Sequence, residues 1–160
     1  GPAMYLVVVV GLMFVLPIAC TAGEVLIGSV PFSLLVVGKW FVLWSVGVRL
    51  LLAGLRQIFQ PRYTAQVILS LKNDESLIVV RELGFANFAV GLVGLGSVIF
   101  PSWRPAGALA GGVFYALAGV NHALQTHRGK LESVAMVSDL WASAVLLAGF
   151  AAMLNPANLT

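Results

Sequence analysis

Apolar residues run along this chain in long blocks separated by short polar interruptions, and each block has the length of a helix that crosses a membrane. A spanning helix needs about 20 predominantly apolar residues, because the hydrocarbon core is ~30 Å thick and each helical residue rises about 1.5 Å. Five stretches meet this requirement: Met4 to Ala22, Pro31 to Leu55, Leu77 to Phe100, Ala106 to Gln125 and Leu131 to Leu154. The pattern predicts an all-α polytopic membrane protein. Its core is a four-helix transmembrane bundle from Pro31 to Leu154, with an additional N-terminal transmembrane helix, in a single integral membrane domain over residues 4–154. Gly1-Pro2-Ala3 reads as an expression scar with Met4 as the native start, and 155–160 as a short tail.

The apolar run from Val25 to Leu55 is too long for one upright span, and Pro31, Gly38 and Lys39 interrupt it. This predicts a short interfacial or re-entrant piece ahead of the second helix. Gln60-Pro61-Arg62 ends that helix, since proline has no backbone N–H and disfavours helix in the residue before it. The run from Tyr5 to Ala22 lacks a basic leading region, so it reads as a retained helix and not as a signal peptide. In Leu16-Pro17-Ile18-Ala19-Cys20, Pro17 stands where a lipobox wants leucine, so no lipid anchor is expected.

Composition agrees with the pattern. With 60% hydrophobic and 9% charged residues and a mean hydropathy of +1.00, the chain cannot form a soluble core under a solvated surface. Its net charge of +3 comes from basic residues scattered at the flanks of apolar runs, which is the positive-inside bias and not a nucleic-acid footprint. The single cysteine, Cys20, excludes an intrachain disulfide, a Cys-x-x-Cys redox pair and a cysteine zinc cage. The connection Gln57 to Ser76 carries Arg62 and Lys72 with Arg56 at its edge, and Thr126 to Lys130 carries Arg128 and Lys130. Pro101 to Pro105 carries only Arg104, and no base lies around Glu24. The N-terminus and both basic loops are therefore expected on the cytoplasmic side, with the C-terminus outside.

With that orientation, Arg49, Arg56, Glu82, Asn87, Asn121, His122, Glu132 and Asp139 all fall in the cytoplasmic half. An ionisable residue at membrane depth costs a few kcal/mol or more, so such a residue marks a functional site by default. Arg49 and Arg56 are seven apart and share a helical face, as do Glu132 and Asp139. Two bases on one helix are thus expected to face two acids on another, with Arg56 and Glu132 near enough to the ends to reach headgroups by snorkelling. Glu82 is expected to point inward with Phe85 and Ala86. Gly107, Gly111, Tyr115, Gly119 and His122 form one stripe, and Gly84, Gly91 and Gly94 another; small residues let helices approach closely, within the bundle or in a homo-oligomer. Trp40 and Trp44, one turn apart beside Lys39, read as an aromatic anchor at the interface. His127 lies in a basic loop and is expected to be solvated.

The candidate ligand-binding residues are Arg49, Arg56, Gln57, Glu82, Asn87, Asn121, His122 and Asp139, and the candidate catalytic ones are His122, Glu82 and Asp139. Arginines supply forked donors for an anion, amides orient it, and a histidine near carboxylates can move a proton. No metal or cofactor is expected: the Glu-x-x-His repeat of di-iron bundles is absent, as are Gly-x-Ser-x-Gly, His-Glu-x-x-His, Walker and dinucleotide fingerprints. The outer half offers mainly Ser, Thr and Gly, which argues against a continuous ion path. Three readings stay open: binding of a small amphipathic or anionic ligand such as a lipid or quinone-like molecule, an intramembrane isomerase- or cyclase-like enzyme, and an accessory membrane subunit. Membrane lipids are the expected partners, and nucleic acid is not.

Several short motifs carry a resemblance. Gly38-Lys39-Trp40-Phe41, Gly47-Val48-Arg49, Gly54-Leu55-Arg56-Gln57, Arg81-Glu82-Leu83-Gly84-Phe85-Ala86-Asn87, Ala118-Gly119-Val120-Asn121-His122 and the Glu132 to Asp139 spacing resemble a small bacterial membrane family of unknown function over most of Gly38 to Phe150. The chain is also distantly similar to DoxX-like four-helix proteins. Both likenesses imply a compact helical bundle. The quinone-linked sulfur oxidation associated with DoxX-type proteins is not carried over, since no motif here holds that chemistry residue by residue.

Overall fold

The apolar blocks fold into helices in the computed structural model, which describes residues 1–158. Five are long: α1 (Pro2–Leu26), α2 (Leu34–Phe59), α3 (Ser76–Gly96), α4 (Arg104–Ala123) and α5 (Lys130–Met153). A sixth, short and π-wound, covers Tyr63–Ile68. No strand occurs among the described residues. Helices α1, α2, α3 and α5 are long and apolar enough to cross a membrane. Helix α4 has 20 residues, and its glycines, Asn121 and His122 make it less hydrophobic than the others. Of the tail 155–160, Pro156–Asn158 form a 3₁₀ turn, and 159–160 lie outside the described residues.

Ahead of the second helix the structure has a short non-helical segment and no re-entrant helix. Helix α1 absorbs Val25 and Leu26, residues 27–33 are non-helical, and α2 then runs unbroken through Gly38 and Lys39. Ser33 starts it, its Oγ accepting from the Val36 N–H at 3.4 Å. Gly38 does not break the helix, because it serves as a contact point: it faces Gly149 of α5 at backbone distance. The chain doubles back after Pro61 instead, where Tyr63–Ile68 buries Thr64 and Ala65 against the bundle. Half of the predicted basic loop is therefore folded structure. The exposed remainder is braced by Arg62, which holds Asp74 through two contacts of 2.8 and 3.3 Å.

Helix α2 is the hub, packing on all four other long helices. Lipid tails are as apolar as leucine, so helices in a bilayer associate through close packing and interhelical hydrogen bonds. Both are visible here. A methyl group on Gly91 of α3 would lie 2.6 Å from the Leu51 nitrogen, and one on Gly54 of α2 would lie 2.6 Å from the Phe88 nitrogen, so only glycine allows this crossing. On α4, Gly107 and Gly111 receive Val42 and Val46 of α2, while Gly112 and Gly119 receive Leu147 and Leu140 of α5. The glycine stripes thus pack within the chain.

The hydrogen bonds use carbonyls in widened turns. Helices α1 and α2 are π-wound over Gly11–Val15 and Val42–Val48, and π turns displace backbone carbonyls from their ordinary partners. Side chains from other helices reach these carbonyls. Ser45 Oγ donates to the Leu12 carbonyl at 3.0 Å, Trp141 Nε1 donates to the Met13 carbonyl at 3.0 Å, and the Tyr115 hydroxyl donates to the Ser45 carbonyl. At the far end Glu24 accepts from Lys39 Nζ at 2.5 Å and from Trp40 Nε1 at 2.6 Å, tying α1 to α2. The core between them holds Tyr5, Val9 and Met13 of α1 and Phe41, Val42, Val46 and Leu50 of α2.

Gly91→Val is expected to destabilise the bundle by about 1–3 kcal/mol or more through overpacking at the α2–α3 crossing. Gly23→Ala, whose added methyl meets open space, should be neutral or slightly stabilising. Thermal unfolding of both variants in one detergent checks the pair; equal melting temperatures would remove the crossing from the account.

Candidate functional site

Helices α2 and α4 end, and α1, α3 and α5 begin, at the same end of the bundle. Between them lies a cavity of about 670 Å³, within the range of ligand sites. Leu50, Leu52, Ile68, Leu69 and Leu117 give it mostly apolar walls. Polar side chains from four of the long helices enter it: Arg49, Arg56 and Gln57 from α2, Asn87 from α3, Asn121 and His122 from α4, and Asp139 from α5. Seven of the eight sequence-derived binding candidates therefore meet in one space.

Glu82 does not. It is exposed on the outer side of α3, as is Phe85, against the expectation that both turn inward. The cause is the α2 crossing: Val80, Gly84, Asn87, Gly91 and Gly94 form the buried face of α3, and helical periodicity turns Glu82 and Phe85 away from it.

The expected pairing of two bases with two acids is also replaced. Among the described residues no carboxylate lies within 4.0 Å of either arginine. Each guanidinium lies over a tyrosine instead: Arg49 Cζ is 5.7 Å from the Tyr5 ring centre, and Arg56 Cζ is 3.7 Å from that of Tyr63. The Nε atoms of both arginines are buried without a hydrogen-bond partner. The acids of α5 turn to α4, the helix they pack against. Glu132 Oε2 lies 3.2 Å from His122 Nδ1, and Asp139 Oδ2 lies 3.8 Å from His122 Nε2. Glu132 is only 6% exposed, so it is a buried partner of the imidazole and does not snorkel. His122, Glu132 and Asp139 form no set of three ligands able to hold a metal ion among the described residues.

Gln57 and Asn87 form a buried pair across the α2–α3 crossing, with Asn87 Nδ2 donating to Gln57 Oε1 at 2.9 Å. Each amide keeps a further polar atom for a ligand. The tyrosines are what reading the sequence missed. All three in the chain, Tyr5, Tyr63 and Tyr115, line this cavity. Tyr5 sits in the apolar first turns of α1 and Tyr63 in a segment that reads as a loop. Tyr5 and Tyr63 both lie close to the end of the bundle that carries the basic loops, and that shared position is the signal that could have grouped them.

A family model matches residues 5–154, which takes in every long helix and every cavity-lining residue after Met4. The chain belongs to the family of unknown function DUF6790. Neither a curated protein nor a solved structure matches it.

In this DUF6790 protein, Asn87→Ala should cost about 1–3 kcal/mol, because it strands the buried Gln57 amide. A double-mutant cycle with Gln57→Ala, followed by thermal unfolding, is expected to give a coupling energy of roughly 0.5–2 kcal/mol. Additive losses would show that the two amides do not act as a pair.

Proposed function

We propose that this protein binds a small amphipathic or anionic ligand, lipid-like or quinone-like, in the cavity at the basic end of the bundle. The observation that supports this most directly is that Arg49 and Arg56 both line the cavity with no carboxylate within 4.0 Å among the described residues. Holding a charge in apolar surroundings is costly unless an opposite charge meets it. A bound anion meets two at once. The arginines take the charged or carbonyl group, Asn87, Gln57 and Asn121 orient it by hydrogen bonds, and the leucines hold the apolar remainder.

The reading places the protein in a bacterial cytoplasmic membrane with its N-terminus and the cavity mouth inside. Arg62, Lys72 and Arg128 in the connections at the cavity end, with Lys130 at the start of α5, are all exposed and support that orientation through the positive-inside bias. A distant relation to DoxX-like bundles belongs to the same reading and rests on the four-helix core alone.

A second reading has its own observation. His122 is held between Glu132 and Asp139, and both it and Asp139 border the cavity. An imidazole with a fixed orientation and a carboxylate nearby can take up and return a proton, which is the requirement of an isomerase- or cyclase-like reaction on an apolar substrate.

Native mass spectrometry of gently extracted protein, followed by release of the bound molecule, tests the first reading. Stoichiometric ligand is expected in the wild type, with occupancy falling about ten-fold or more in Arg49→Gln/Arg56→Gln, since each charge-assisted contact contributes roughly 1.5–3 kcal/mol. Full occupancy in the double variant would refute it. For the second reading, the released molecule is incubated with the protein: His122→Ala should abolish conversion while keeping occupancy, and undiminished conversion would exclude His122 as the proton carrier.

A further inference from the structure

The cavity has a side as well as a mouth. Leu117 of α4 lines it and is 67% exposed on the outside of the bundle, and Leu52 of α2 lines it and is 45% exposed. A residue that borders a cavity and also faces outward marks its rim. This rim is apolar, and it is deep. Leu117 lies six residues before the end of α4, about 9 Å along the axis, and Leu52 seven residues before the end of α2, about 10 Å. At those depths the surroundings of a spanning helix are hydrocarbon and not water.

The packing explains why the bundle is open there. Helices α3 and α4 come together beside their short connection, where Gly107 faces Gly94. Helix α4 packs on the Val42–Val48 part of α2 and leaves it beyond Arg49, so the far halves of α3 and α4 bracket the cavity with Leu83 and Asn87 on one side and Leu117 and Asn121 on the other. The arginines lie behind this gap. They lie about two helical turns apart on one face of α2, and both line the cavity. A phosphate group suits that arrangement, because its oxygens point several ways and accept from more than one fork, whereas a carboxylate is planar.

We infer that the cavity is entered sideways from the bilayer between α3 and α4, and that its ligand is a membrane-borne amphiphile whose phosphate headgroup lies on Arg49 and Arg56 while its apolar chain leaves past Leu83 and Leu117. This rests on the anion-binding reading above and adds the ligand's class and route. The same headgroup chemistry could come from a water-soluble phosphate, so the test separates the two sources.

The protein is placed in phosphatidylcholine nanodiscs carrying a small fraction of phosphatidylglycerol with a photoreactive diazirine in its acyl chain, and crosslinks are mapped by peptide mass spectrometry. The expected result is enrichment of about ten-fold at Leu117 over Val7 and Ile78, which are comparably exposed elsewhere. The enrichment should be absent for a diazirine phosphatidylcholine and lost in Arg56→Gln. The headgroup comparison uses the unaltered protein, so it does not depend on a variant folding. Equal labelling by both lipids, or labelling spread evenly over the exposed positions, would overturn the inference. In parallel, glycerol phosphate and inorganic phosphate are added in a thermal-shift measurement. Stabilisation by these that Arg56→Gln removes, without rim enrichment, would leave the anion site standing and discard the lipid route. Neither signal would discard both.

Discussion

Polar groups at membrane depth have to be satisfied inside the protein, and most of this structure follows from how that demand is met. The α1 and α2 carbonyls displaced by π winding are taken up by Ser45, Trp141 and Tyr115. Gln57 and Asn87 satisfy each other across a crossing that only glycines allow. His122 has Glu132. Each solution joins two helices, so the same bonds that meet the solvation requirement also fix which helices are neighbours. The two arginines of α2 stand apart from this pattern. They lie against aromatic rings, with no carboxylate within 4.0 Å among the described residues.

The helices and their common polar end were legible because the physics behind them is local. Twenty-residue apolar blocks, Pro61 as a stop and the grouping of Arg49, Asn87, His122 and Asp139 at one depth need only length, composition and hydropathy. What was not legible depends on helix rotation and neighbour choice. Glu82 and Asn87 lie in the same half of α3 but face different ways, and the face is decided by where α2 lies against Gly84, Gly91 and Gly94, a fact about α2 as much as about α3. Helical phase showed that Glu132 and Asp139 share a face but not that it turns toward α4. Tyr63–Ile68 escaped because its flanks carry loop-like residues, and only burial against the bundle shows it as structure. Pro31 does lie in a break, but Gly38, which suggested a second interruption, is carried through the helix by its packing against Gly149.

The segregation of charge has a consequence of its own. A carboxylate beside Arg49 or Arg56 would fix the side chain and also cancel its charge. An aromatic face fixes it and leaves the charge in place, since the attraction of a cation for a ring quadrupole, worth roughly 0.5–2 kcal/mol, transfers no opposite formal charge to the site. The two acids that could have cancelled the arginines are drawn off by His122 on the opposite wall. Charge is therefore divided across the cavity, with guanidiniums backed by tyrosines on the α2 side and carboxylates grouped on the imidazole on the α5 side. A purely register-fixing network would pair bases with acids, because that arrangement lowers the free energy of the protein alone. Keeping them out of direct contact leaves both guanidiniums without a carboxylate within 4.0 Å among the described residues, and the proposed binding reading rests on that arrangement.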